Sequence, residues 1–144
     1  MESDKAYEAL LSISRDKNFN LLSEYLQNSD PIKINLSPLP FVEYLASVVV
    51  SQQLSTKAAK TIWSRVQPII QSNKNSQSIE VALHEAGLSK SKANYVTGLI
   101  QNSELSSFKR SDLSDLTNAE FENLLITNKG IGPWSVQMAR MFYL

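Results

Sequence analysis

The stretch from Phe41 to Val50 leaves this chain the least freedom. Phe41, Tyr44, Leu45, Val48 and Val49 make it apolar nearly all round, and a helix without a polar face has to be covered on every side. Val48-Val49-Val50 has the β-branched composition of a strand, but its flanks lack the turn residues that bound strands. The most buried helix of the domain is expected here.

Elsewhere apolar residues recur at three- and four-residue spacing, and strict alternation is hard to find, so the expected class is all-α. A first helix is expected over about residues 4–14, carrying Ala6, Leu10 and Ile13, and a second over about 18–27, carrying Leu21, Leu22, Tyr25 and Leu26. Asp30-Pro31 and the pair Pro38 and Pro40 form an irregular link. Ser55 is a good N-cap for a helix with a stripe of Ala58, Ala59, Ile62, Val66 and Ile69. The polar run 71–78 reads as a surface loop, followed by helices at about 78–85 and 90–101. Between those two, Gly87 suits a C′ position and Ser89 an N-cap. Thr117 with Glu120 forms a capping box ahead of Phe121, Leu124 and Leu125. A chain of 144 residues is one domain's worth, so residues 1–144 are expected to share one core.

Several function classes are disfavoured at this level. The start, Met1-Glu2-Ser3-Asp4-Lys5, lacks the basic and apolar regions of an export signal, and no apolar run approaches a membrane span. Cysteine is absent, which excludes disulfides and thiolate metal sites within these residues, and His84 has no companions suited to a metal. Fourteen basic and fourteen acidic residues cancel, so attraction to a polyanion rests on local placement. Lys57 with Lys60, Lys90 with Lys92, Lys109-Arg110 and Lys129 permit such placement, each also reading as an ordinary solvated charge.

The chemistry concentrates near the carboxyl end, where Lys129-Gly130-Ile131-Gly132-Pro133-Trp134 runs into Ser135 and the apolar-periodic Val136 to Leu144. Two glycines around one apolar residue suit a turn of unusual φ and ψ with no Cβ between backbone and ligand. Pro133 suits the first turn of a helix. Such a helix start presents unpaired N–H groups and a positive dipole end, which hold anions. By itself this pattern is more often a capped loop. Two upstream segments sharpen it, Ser51-Gln52-Gln53-Leu54-Ser55 and Gly87-Leu88-Ser89-Lys90-Ser91-Lys92-Ala93.

Taken together, these segments resemble the helix-hairpin-helix (HhH-GPD) DNA glycosylases, in particular the 3-methyladenine DNA glycosylase II branch. The resemblance covers nearly the whole chain through residues 41–66, 87–100 and 124–144. It implies a multi-helix domain with the helix-hairpin-helix motif at about 117–144. It also implies base-excision repair of double-stranded DNA in a nucleoid or nucleus, with a damaged base flipped out and its N-glycosidic bond hydrolysed. The turn at 51–55 would face DNA, and the side chain entering the gap left by the flipped nucleotide falls on Gln53. On residues alone, Gln52 and Gln53 read as turn residues bonded to backbone. At the hairpin, the resemblance implies phosphate binding by the stretch Lys129, Gly130, Ile131 and Gly132, with the hydroxyl of Ser135 added. Carbonyls of Ile126, Asn128 and Ile131 would hold a monovalent cation. Trp134 would lie beside the flipped base, where an indole face attracts a cationic purine; simple packing is the alternative. Tyr143, Phe142 and Met138 read as core.

In the family one Asp stabilises charge on the sugar, and it lies past the helix that the hairpin opens. No Asp or Glu follows Glu122. The resemblance therefore implies a chain without its catalytic residue and C-terminal helices, inactive alone. It also implies an apolar face at Met138, Met141, Phe142 and Leu144 suited to self-association. Mismatched thymine or oxidised guanine stay open as lesions of a longer version, and the iron-sulfur cluster of some relatives would lie beyond Leu144. Two other classes stay open: a non-catalytic helix-hairpin-helix DNA-binding module, and a helical structural or interaction domain.

Overall fold

A computed structural model describes residues 2–30, 34–72 and 76–144. Among the described residues the regular structure is entirely helical. In chain order the ten helices are α1 (Glu2–Asp16), α2 (Asn20–Gln27), α3 (Phe41–Ser51), α4 (Thr56–Gln71), α5 (Ser76–Glu85), α6 (Lys90–Gln101), α7 (Ser103–Ser107), α8 (Arg110–Ser114), α9 (Asn118–Ile126) and α10 (Pro133–Phe142). Where length alone suggests one domain, the chain groups into two compact units, Met1–Asn35 and Leu36–Leu144.

The first unit is a helical hairpin. Asn18 closes α1 at φ +57°, a conformation that Asn tolerates better than most residues. The Phe19 N–H reaches back to the Ser14 carbonyl at 2.8 Å, the long bond that seals a helix end. The Ser14 and Ser23 hydroxyls meet at 2.8 Å in the buried seam, and the Tyr7 hydroxyl donates to the carbonyls of Leu26 and Ser29. Of the expected link after α2, Pro31 lies outside the described residues.

The second unit is built on α3. Seven of its residues are buried, Phe41, Tyr44, Leu45, Ala46, Val48, Val49 and Val50, and it packs against α4, α6, α7 and α10. Burying each large side chain contributes about 2 kcal/mol, so the all-round apolar stretch is satisfied as a surrounded helix despite its valine run. The stripe on α4 is narrower than its spacing suggests. Val66 and Ile70 are buried, whereas Ala58, Ala59, Ile62 and Ile69 are only half-buried, because the packing on this helix comes from α3 and α5.

Both expected caps around Gly87 are present: Gly87 has φ +111°, and the Ser89 hydroxyl accepts the Lys92 N–H at 3.3 Å. Of the polar run 71–78, Gln71 ends α4 and Ser76 opens α5, while 73–75 lie outside the described residues. Two single-turn helices, α7 and α8, leave no periodic trace at five residues each, yet they bury Leu105 and Leu113 completely. Their starts are fixed by side chains: Asn102 Oδ1 accepts the Leu105 N–H at 3.1 Å, and Asp112 accepts the Lys109 N–H at 2.9 Å.

The end of α10 is clamped to the start of α3. Tyr143 packs on Phe41 and Tyr44 with ring centroids 5.0 and 5.2 Å apart. The Tyr44 hydroxyl donates to the Met138 carbonyl at 2.8 Å, and burial pushes its pKa up to about 12. Arg110 lies over the Tyr143 ring at 4.4 Å and donates to the Ser37 carbonyl. It is therefore engaged inside the fold and is not a free basic group. Phe142 does not join the core as expected. It is exposed, because its neighbour Tyr143 takes the inward position, while its carbonyl accepts the Ser37 N–H at 2.7 Å.

Candidate nucleic-acid interface

Two β-turns of the same kind face one cleft. Between α3 and α4, the Leu54 N–H bonds to the Ser51 carbonyl at 3.2 Å. Gln52 has φ −54° and ψ 131°, and Gln53 has φ +57°. This is the type II pattern, whose third residue is ordinarily Gly or Asn. Between α9 and α10, the Ile131 N–H bonds to the Asn128 carbonyl at 3.1 Å, and the third residue, Gly130, has φ +87°.

Gly130 is fixed by more than its φ. A Cβ there would lie 2.6 Å from Cδ2 and 2.9 Å from Cβ of Tyr95 on α6, a clash that side-chain rotation alone cannot relieve. Gly132 differs from expectation. Its φ of −114° and ψ of 179° are ordinary extended backbone, and a Cβ would meet nothing within 4 Å. As the N-cap of α10, it leaves the helix start uncovered. Pro133 begins the helix, and its first turn is closed by the Val136 N–H donating to the Gly132 carbonyl at 3.1 Å. The N–H groups of Trp134 and Ser135 precede it and have no acceptor within the helix.

The cleft measures about 660 Å³ and is lined by Ser51, Gln52, Gln53 and Leu54 on one side and Gly130, Gly132, Pro133, Trp134 and Ser135 on the other. Trp134 is 57% exposed on its rim, so its ring is not core packing. Gln53 is exposed as well. Gln52 ties the walls together: its Nε2 donates to the Gly130 carbonyl at 2.9 Å and to the Ser135 Oγ at 3.2 Å. The backbone-bonded alternative thus holds for Gln52.

Three other site expectations change in detail. The Ser135 side chain is only 2% exposed and its hydroxyl accepts from Gln52; its backbone N–H is the group at the helix start. Ile131 is a core residue whose N–H is engaged by Asn128. Lys92 is not a solvated charge. Its Nζ donates to the Val50 carbonyl at 2.9 Å and the Gln52 carbonyl at 2.6 Å, and burial holds its pKa below the usual lysine value. Lys129, in contrast, is exposed, beside a smaller groove of about 180 Å³ on which Asn94, Tyr95 and Asn128 also lie.

The hairpin itself is rigidly held. Asn128 Nδ2 donates to the Leu124 and Leu125 carbonyls at 3.0 and 3.1 Å, and its Oδ1 accepts from Asn102 Nδ2 at 3.0 Å. Among the described residues no group of His, Cys, Asp or Glu is placed to hold a metal ion, and His84 Nδ1 pairs with the Leu88 carbonyl at 2.7 Å. No described helix is long and apolar enough to cross a membrane.

Solved structures share this fold. The chain superposes on a DNA-3-methyladenine glycosidase from Bacillus halodurans with a TM-score of 0.72 and 25% identity, over 95% of this chain and 63% of that one. The chain has the helix-hairpin-helix glycosylase fold. It is similar also to the Schizosaccharomyces pombe 3-methyladenine DNA glycosylase Mag1, solved in complex with abasic DNA, with a TM-score of 0.66 and 26% identity over 97% of this chain and 70% of that one. The glycosylase fold here thus spans 63% of the length of the Bacillus protein. No family model and no curated protein sequence matches the chain.

Proposed function

We propose that this chain is the DNA-gripping part of a 3-methyladenine-type DNA glycosylase. The observation that carries the proposal is the single cleft between an exposed Gln53 on a left-handed turn and an uncovered helix start beside an exposed Trp134. A phosphate seats on the N–H groups of Gly132, Trp134 and Ser135, with Lys129 adding charge nearby. These contacts position the chain on DNA and carry no sequence information, which suits a protein that scans for damage. Extruding a nucleotide costs a few kcal/mol of stacking and pairing. Gln53 fills the gap, and the Trp134 face receives the extruded base, favouring one made cationic by alkylation.

The hairpin carbonyls of Ile126, Asn128 and Ile131 suit a hard monovalent cation, being neutral oxygen donors. Asn128 O already accepts one N–H and has a second lone pair. Such an ion would share the phosphate. Hydrolysis is assigned to no residue of this chain, since no carboxylate follows Glu122, and DNA binding without base release is the behaviour expected of these 144 residues. The action belongs where DNA is, in a nucleoid or nucleus. The exposed Met141 and Phe142 favour self-association, read by light scattering as a mass that rises with concentration.

Gly132→Asp is the decisive test. Its backbone is ordinary and its surroundings open, and Asp is a favoured N-cap, so the fold is kept while a negative charge occupies the phosphate position. Binding to a duplex containing an abasic-site analogue is expected to weaken by about tenfold or more. Unchanged binding would remove the hairpin from the interface and leave a helical interaction domain as the better description.

A further inference from the structure

The Gly87–Ala93 segment caps two helices, and its Lys92 reaches from α6 to the turn that carries Gln53. Its Nζ donates to two carbonyls there, Val50 at 2.9 Å and Gln52 at 2.6 Å. The second contact is the informative one. Type I and type II turns share their first and fourth residues and differ by a flip of the central peptide, which reverses the direction of its carbonyl and changes the sign of φ at the third residue. In the turn Ser51–Leu54 that central peptide joins Gln52 to Gln53, and its oxygen is the one that Lys92 holds.

Nothing local favours this state. A non-glycine residue in the left-handed region is strained by about 1–2 kcal/mol, and Gln lacks the short side chain through which Asn or Asp compensates. With the ammonium removed, the Gln52 carbonyl loses its partner and the type I flip, with negative φ at residue 53, becomes the easier backbone. Gln52 adds a second constraint, since its side chain is anchored on Gly130 and Ser135. The residue before Gln53 is thus held at both its side chain and its carbonyl.

We propose that Lys92 is a positioning residue, whose bond to the Gln52 carbonyl selects the type II flip and so directs Gln53 into the cleft. This rests on the assignment of Gln53 to the DNA gap. It makes a half-buried lysine, whose ammonium is engaged by backbone carbonyls, a determinant of discrimination between intact and gapped duplex.

Two readouts on the 144-residue chain separate the parts of this proposal. Lys92→Met keeps most of the stem and removes the donor. The dipolar coupling between the amide and α protons of Gln53, read as their intraresidue cross-relaxation, is strong at positive φ, where the two protons lie close, and weak at negative φ; it reports the sign change without DNA and is expected to fall from its left-handed value. Preference for a duplex with an abasic-site analogue over an intact duplex is expected to fall about tenfold, the population change that left-handed strain of this size permits, while intact-duplex binding through the hairpin stays within about twofold. Lys92→Arg, which presents donors to the same carbonyls, is expected to restore both. An unchanged Gln53 coupling in Lys92→Met overturns the inference whatever the DNA result. A shifted coupling with unchanged gap preference overturns the link to discrimination. Wild-type chain that does not distinguish the duplexes sinks the gap assignment, and the coupling still decides whether Lys92 sets the turn. Should Lys92→Met fail to fold, Lys92→Gln, with one donor, is read in the same way.

Discussion

Gln53 and Gly130 stand at the same position of two similar turns on opposite walls of one cleft, both at positive φ. One position has dispensed with its side chain and the other has kept it against the local preference. At Gly130 the reason is steric, since Tyr95 occupies the space a Cβ would need. At Gln53 the side chain is exposed and contributes nothing visible to the core, while the surroundings hold its strained backbone in place. A left-handed glycine therefore marks a place where the backbone is used. On the proposed reading, Gln53, left-handed with a long exposed side chain, is a place where the side chain is used. Asn18 shows the contrast: it has the same φ of 57°, but it is a residue type suited to that conformation and sits where a helix has to stop.

Substitutions can break this comparison. The largest effect is expected at the hairpin, where Gly130→Ala combines a backbone-level clash with left-handed strain and is expected to destabilise by about 3 kcal/mol, read from the urea midpoint. A cost under about 1 kcal/mol would show that Tyr95 yields and that the glycine is not sterically required. Next is the tie between the walls. Gln52→Leu leaves the Gly130 carbonyl and Ser135 hydroxyl without their donor and is expected to cost about 1–2 kcal/mol; a neutral result would mean that the turns are held independently.

The smallest change has the opposite sign. Gln53→Gly relieves the strain and, after the added freedom of the unfolded chain, is expected to stabilise by about 0.5 kcal/mol while selectivity for a gapped duplex falls. Stability gained together with selectivity lost is the signature of a residue retained for function. A loss of stability would assign the Gln53 side chain a structural role and remove the contrast with Gly130.

Much of the architecture was legible because it depends on neighbours in sequence. The span of α6, the Thr117–Glu120 box and the start of α10 follow from caps and periodicity, which act over one turn of helix. The single-turn α7 and α8 were not legible, because five residues show no period and their place is set by burial of Leu105 and Leu113. The site divided in the same way. The glycine pair and the exposed Gln53 and Trp134 could be picked out from residue type and resemblance. The roles of Gln52, Lys92 and Tyr95 could not, since each acts across 35 to 83 positions of chain.

By itself, then, the sequence determined that the chain is helical, where its main helices start, and which short turns can bring backbone close to a ligand, because propensity, capping and glycine conformation are local properties. Only the tertiary structure decided that two of those turns share a cleft, that Gln52 bridges them, and that a lysine resembling a surface charge grips a turn carbonyl. Those outcomes depend on helices distant in sequence packing around α3, and no local pattern encodes the distance between two groups that meet only when the core closes.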